Sequence, residues 1–164
     1  MTTVIRRAEP LDVVNLYRLI SAHGEFNLLD RSDEARALVQ VLEAIRDGHT
    51  LVATNKAGRI VATIAFIGVR LQSGLLTSKC VWSAVAPAYS TTLVVAELLD
   101  LSLRSADKAG IPVHVTLALP PDSPLTQAVI AAGFKAGSQN WIRKNKKKCP
   151  APPSVHRTHR STSS

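Results

Sequence analysis

Groups able to do acid–base, nucleophilic or metal chemistry are few in this chain and widely spaced. His23, His49 and His114 are residue types that exchange a proton near neutral pH, and Glu25 offers a carboxylate in a polar stretch. None of the four stands in a catalytic motif. Between Asp47 and Glu97 there is no Asp or Glu at all, so the middle of the chain offers no paired carboxylates for general acid–base work. Cys80 and Cys149 are the only cysteines, which excludes a disulfide scaffold and a four-cysteine zinc site. Cys80 lies in an apolar run with no histidine beside it in sequence and reads as a small core residue. Cys149, His156 and His159 fit no zinc spacing and lack a fourth ligand. No metal site is expected, and no catalytic residue is assigned.

The elements that must position these groups follow from hydrophobic period and turn chemistry. Residues 3–8 read as a strand, and Glu9-Pro10-Leu11-Asp12 opens a helix with an apolar stripe of Leu11, Val14, Leu16, Leu19 and Ile20. Ser32-Asp33-Glu34 caps a second helix, lined by Leu38, Val41, Leu42 and Ile45 and stopped by Gly48. Strands 50–54 and 60–71 flank Asn55-Lys56-Ala57-Gly58, residue types suited to a tight hairpin turn. The run Ile60–Val69 is apolar almost throughout, which predicts a central strand with both faces covered. Gln72-Ser73-Gly74 turns the chain into strand 79–85, closed by Pro87. Thr91 or Thr92 then caps a long helix to Ala109, with Leu93, Ala96, Leu99 and Leu103 on one side and Gly110 at its end. Strand 113–119 is broken by Pro120-Pro121, and a helix entered at Asp122-Ser123-Pro124 runs to Ala132-Gly133-Phe134. Residues 140–143 form a last short strand. His114, inside an apolar strand, reads as a hydrogen-bonded core histidine.

With 164 residues, 46% apolar and 20% charged, the chain has material for one folded domain and is not disordered over most of its length. Its apolar runs are too short to span a membrane, and Met1–Arg7 lacks the hydrophobic stretch of a signal peptide. A reduced, cytoplasmic setting without membrane contact is expected. The net charge of +8 divides unevenly. Arg143, Lys144, Lys146, Lys147, Lys148, Arg157 and Arg160 give residues 143–164 seven basic groups and no acidic one. Residues 1–142 are left with 13 basic and 12 acidic side chains, close to neutral. Residues 1–143 are therefore expected to form the domain, and 144–164 a basic, Pro/Ser/Thr-rich flexible tail. Such a tail suits sequence-independent, salt-sensitive contact with a polyanion such as nucleic acid, and equally an acidic protein surface. Without interleaved aromatics it lacks the stacking partners of single-strand binders.

The order of strand, two helices, three strands, helix, strand, helix and strand resembles the GNAT (Gcn5-related N-acetyltransferase) superfamily. Val85-Ala86-Pro87-Ala88-Tyr89 resembles the V-x-P-x-Y end of the family's fourth strand, and Ala96-Glu97-Leu98-Leu99 the helix segment that follows. Ala131-Ala132-Gly133-Phe134 resembles the k-x-G-F element after its last helix. The resemblance implies an α/β (α+β) fold over about residues 3–143: a central mixed, mostly antiparallel sheet of about six or seven strands flanked by about four helices. Trp82 and Trp141 are then either core packing or the lining of a central cleft.

In that family the loop after V-x-P-x-Y reads R/Q-x-x-G-x-G/A, and its backbone N–H groups cradle the pyrophosphate of acetyl-CoA. Here Ser90 takes the first position and Leu93 and Val95 the glycine positions, with Thr91 where a further glycine is common. The stretch Ser90-Thr91-Thr92-Leu93-Val94-Val95 carries no positive charge. Val129 stands where many members place a general-acid Tyr. Two functions remain open. One is a catalytically degenerate GNAT-fold module with no cofactor, acting by binding within a protein assembly or homo-oligomer. Family analogy alone extends that role to a phage virion component, which, if the chain is phage-encoded, would sit in host cytoplasm or virion. The other is an active acetyl-CoA-dependent N-acetyltransferase acting on a small amine or a protein N-terminus. There Val85, Ala86, Ser90, Thr91, Thr92, Leu93, Val94 and Val95 would meet the cofactor.

Overall fold

The computed structural model describes residues 2–27, 29–30, 32–89, 92–116, 124–136 and 140–143; for 25–27, 92, 114–116, 124, 136 and 140–143 it describes the backbone alone. The order is β1 (Val4–Arg7), α1 (Val13–His23), β2 (Gly24–Asn27), α2 (Glu34–Asp47), β3 (His49–Thr54), β4 (Ile60–Arg70) and β5 (Leu76–Val85). It continues with α3 (Thr92–Ala109), β6 (Val113–Thr116), α4 (Pro124–Ala131), β7 (Lys135–Ala136) and β8 (Asn140–Arg143). One sheet runs β1-β3-β4-β5-β6-β8-β7, with β2 pairing β5 off that path. Every pairing is antiparallel except β5 with β6. The mixed, mostly antiparallel sheet and the four α-helices are as expected; the short strands β2 and β7 come in addition to the six read from sequence.

Two layers of helix cover the sheet, and β4 shows why its sequence is apolar throughout. Ala62, Ile64 and Phe66 pack with Val95, Leu98, Leu99 and Leu103 of α3 and Leu125 of α4. From the opposite face, Ala65 packs with Leu16 and Ile20 of α1 and Val41 of α2. From Ile64 to Phe66 successive residues enter alternate cores, as strand geometry requires. Among the described residues no helix is long and apolar enough to cross a membrane.

Helix faces depart from the sequence reading in three places. Leu11 is 91% exposed and Val14 is exposed, because Pro10–Asp12 forms a 3-10 turn before α1 begins. The buried stripe of α1 is Leu16, Leu19 and Ile20. In α2 Leu42 is exposed, while Ala37 and Ala44 join Val41 and Ile45 in the core. In α3 the buried residues Val95, Leu98, Leu99, Ser102 and Leu103 follow the three-and-four rhythm one step out of phase with Leu93, which faces solvent.

Two helix-ending glycines, read alike from sequence, turn out to be unlike. Gly110 has φ +70°, the left-handed stop. Gly48 has φ −105° and ψ −161°, extended backbone open to any residue. There the requirement is space: a Cβ on Gly48 would lie 2.6 Å from the Ala44 carbonyl oxygen and 2.7 Å from that of Phe66.

Candidate functional site

The feature that sets the site is a fork in the sheet. Strands β5 and β6 run parallel and, among the described residues, share two register pairs, Ser78 with Val113 and Lys79 with His114. Beyond them β5 continues as Cys80–Val85 with β4 on its other edge along its whole length. The freed edge of β5 is taken by β2, with Gly24 opposite Ala84, Phe26 opposite Ser83 and Asn27 opposite Trp82. The polar stretch after α1 is thus a strand filling the gap beside β5. Glycine at its start and an alternating pattern too short to register explain why periodicity missed it.

At the end of β5 the chain turns toward α3. The Ala86 N–H donates to the Val61 carbonyl at 2.8 Å, and the Tyr89 N–H to the Ala86 carbonyl at 2.8 Å, closing the 3-10 turn Pro87–Tyr89. The Tyr89 ring packs against the α3 core, and the Asn55 side-chain amide lies 3.4 Å from its hydroxyl. Val85 is buried and Ala86 half-buried. Ser90 and Thr91 lie outside the described residues, and Thr92 begins the helix backbone. Leu93 is 80% exposed, Val94 is partly buried against the core, and Val95 is 1% exposed within it. The two motif glycine positions are therefore separated: one side chain stands in solvent and the other is core. Val129, at the position of the family's Tyr, is fully buried among apolar neighbours.

The acid–base groups do not converge. His23, at the exposed end of α1, and His49, at the start of β3, line different cavities. Burial, with Arg7 adding to it, holds the His49 imidazole below its ordinary pKa, and its Nε2 has no hydrogen-bond partner among the described residues. The side chains of Glu25, His114 and Trp141 are not described. Cys80 is fully buried and desolvation pushes its thiol up to about 12, so it is a core residue without nucleophilic character. Trp82 is core as well: its indole N–H donates to Thr63 Oγ1 at 3.3 Å, and that hydroxyl donates to the Leu51 carbonyl at 2.9 Å. Among the described residues no three His, Cys, Asp or Glu side chains gather as metal ligands. Of the basic tail, Arg143 is described in backbone only, and Lys144, Lys146, Lys147, Lys148, Arg157 and Arg160 lie outside the described residues.

No protein-family model matches the chain, and no curated protein matches it. Solved structures do match. An acetyltransferase of the GNAT family from Streptococcus pneumoniae superposes with a TM-score of 0.69 at 15% identity, covering 88% of this chain and all (100%) of that one. The GNAT family N-acetyltransferase YhbS from Escherichia coli, in complex with CoA, gives 0.65 at 21% identity over 87% of this chain and 81% of its own. A GNAT family acetyltransferase from Brucella melitensis, in complex with acetyl-CoA, gives 0.65 at 20% identity over 91% and 92%. This chain has the GNAT fold. Within it Val85-Ala86-Pro87-Ala88-Tyr89 closes β5 and Ala131-Ala132-Gly133-Phe134 closes α4, the two places to which the sequence resemblance assigns them. The GNAT fold supplies a scaffold, and chemistry still has to be argued from the side chains on it.

Proposed function

We propose that this GNAT-fold protein has given up acetyl transfer and acts by binding, as a module of a protein assembly or homo-oligomer, with its basic tail contacting a polyanion. The observation that carries the reading is β2 in the fork between β5 and β6. Coenzyme A is a chain with two amide groups, and an open strand edge is the natural partner for such a chain. Here the edge of β5 at Trp82–Ala84 is already paired with β2. The glycine-free, uncharged stretch Ser90–Val95 and the apolar Val129 support the same reading. The residues present are a poor fit to the coenzyme.

The second reading is acetyl-CoA-dependent N-acetyl transfer to a small amine or a protein N-terminus, favoured by neighbours of this fold that hold CoA or acetyl-CoA. Thermal unfolding with and without acetyl-CoA separates the two. A ligand at 100 times its dissociation constant adds about 2.7 kcal/mol of stability, or roughly 5–10 °C in Tm for a domain of this size. The binding-module reading expects no rise. A rise of that size, abolished by CoA competition, defeats it.

A further inference from the structure

Among the arginines whose side chains are described most are paired, and the exceptions coincide. Arg6 pairs with Asp12, Arg36 with Asp30, Arg46 with Asp47 and Arg104 with Asp100. Arg7 donates to the Gly48 carbonyl and Arg70 to that of Gly74. Among arginines whose side chains are described, only the guanidiniums of Arg18 and Arg59 make no hydrogen bond or ion pair with another described residue. Both line one cavity of about 340 Å³, together with Asn15, His23, Ile60 and Ala86. No carboxylate lines it among the described residues.

The fold brings these cations together from distant parts of the chain. Arg18 and His23 lie five positions apart on the second half of α1. Arg59 comes from the β3–β4 turn, where Asn55 Oδ1 accepts from the Arg59 N–H at 3.0 Å and the Asn55 N–H donates to the Arg59 carbonyl at 3.0 Å. The turn therefore fixes the backbone that carries the guanidinium. Two unpaired guanidiniums facing one concavity repel each other until an anion joins them.

We infer that this cavity binds a small phosphate-bearing ligand. Planar guanidinium forks match phosphate oxygens two at a time, and His23 and Asn15 add donors on the α1 side. Ile60, Ala86 and Leu19 give the cavity an apolar part for the group that bears the phosphate. A volume of about 340 Å³ accommodates a small molecule, and a lining with two arginines suits a single phosphate group better than a polymer backbone, which needs an extended basic groove.

Isothermal titration of the full chain with inorganic phosphate and with pyrophosphate tests it. Saturable binding at one site is expected, weakened about tenfold by R18Q and by R59Q and abolished by the double variant. Arg18 and Arg59 are exposed, so unchanged far-UV circular dichroism is expected and serves as the folding control. The control variants R70Q and K144Q/K146Q/K147Q/K148Q should bind as the parent does, and His23 ring resonances should shift on addition of phosphate. Three results overturn the assignment: no saturable binding up to about 10 mM; binding that survives R18Q/R59Q but is lost with the tail lysines; or Arg18- and Arg59-dependent binding of short single-stranded DNA with none of phosphate or pyrophosphate.

Discussion

Replacing Gly48 by Ala should damage the fold far more than the backbone conformation there suggests. The new Cβ would meet two carbonyl oxygens, Ala44 at 2.6 Å and Phe66 at 2.7 Å, with Ile67 Cγ2 at 3.3 Å. Against ordinary van der Waals separation each oxygen is roughly 0.5–1 Å too close. Neither can swing aside, because both are main chain and both are in use. The Ala44 carbonyl accepts from the Gly48 N–H at 3.2 Å and from the buried Thr50 hydroxyl at 2.9 Å. Phe66 is paired with His49 in the β3–β4 ladder. Overpacking of this kind costs about 1–3 kcal/mol, and weakening the Thr50 bond adds about 1 kcal/mol, so G48A should lose roughly 2–4 kcal/mol.

Gly110 is the internal comparison. It has φ +70° and open space around its Cα, so G110A should lose about 1–2 kcal/mol from left-handed strain alone. Asparagine tolerates that conformation, so G110N should recover much of the loss, whereas G48N should be at least as damaging as G48A. Urea unfolding followed by far-UV circular dichroism, with the m-value checked for constancy, measures all four variants. If G48A loses less than about 1 kcal/mol, or G48N behaves like the parent protein, the steric account of Gly48 is wrong.

Two further changes probe charged groups. Asp12 accepts from both Arg6 terminal nitrogens at 2.7 and 2.9 Å and from the Glu9 N–H at 2.8 Å, and the Arg6 hydrogen bonds hold its carboxyl below the usual carboxylate range. A lowered pKa gives stability that is present above the unfolded value and lost as pH falls through the folded one, so D12N should cost about 2 kcal/mol at pH 7, allowing for solvent at Arg6. That gap should narrow below about pH 4; an equal gap in urea melts at pH 3 and 7 refutes the pairing argument. His49 has its pKa lowered mainly by burial, so the native state resists its protonation. Its contribution should be complete above about pH 6.5 and decline below it, and H49Q should show a smaller drop in urea midpoint between pH 7.5 and 5 than the parent; equal drops rule His49 out.

Elements carried by long apolar runs or by capping chemistry were legible. The central position of β4, the Asp33 side chain accepting from the Arg36 N–H at the start of α2, and the core placement of Cys80 and Trp82 all agree with the residue types. Helix faces were less legible, because Leu11, Val14, Leu42 and Leu93 are apolar residues that find no partner, and hydrophobicity alone does not exclude exposure. The role of Gly48 was hidden, since its crowding comes from Phe66 in a strand formed later in the chain. Strand β2 was hidden too: only three register pairs hold it, and what makes room for them is the divergence of β6 from β5, a tertiary event. The cluster of Arg18 and Arg59 emerges only when one asks which guanidiniums in the folded chain lack any described partner.

That question changes what the charge balance means. Residues 1–142 are nearly neutral as a sum, yet neutrality by count does not require neutrality by place. Carboxylates are matched to Arg6, Arg36, Arg46 and Arg104, so a local excess persists where α1 faces the β3–β4 turn. The same helix connects this excess to the fork in the sheet. His23, the last residue of α1, lines the cavity, and Gly24, the next residue, opens the strand paired with β5. A ligand entering the fork along β5 would have to displace β2, whose first residue directly follows His23. Conversely, a phosphate held between Arg18 and His23 would anchor the end of α1 and oppose that displacement.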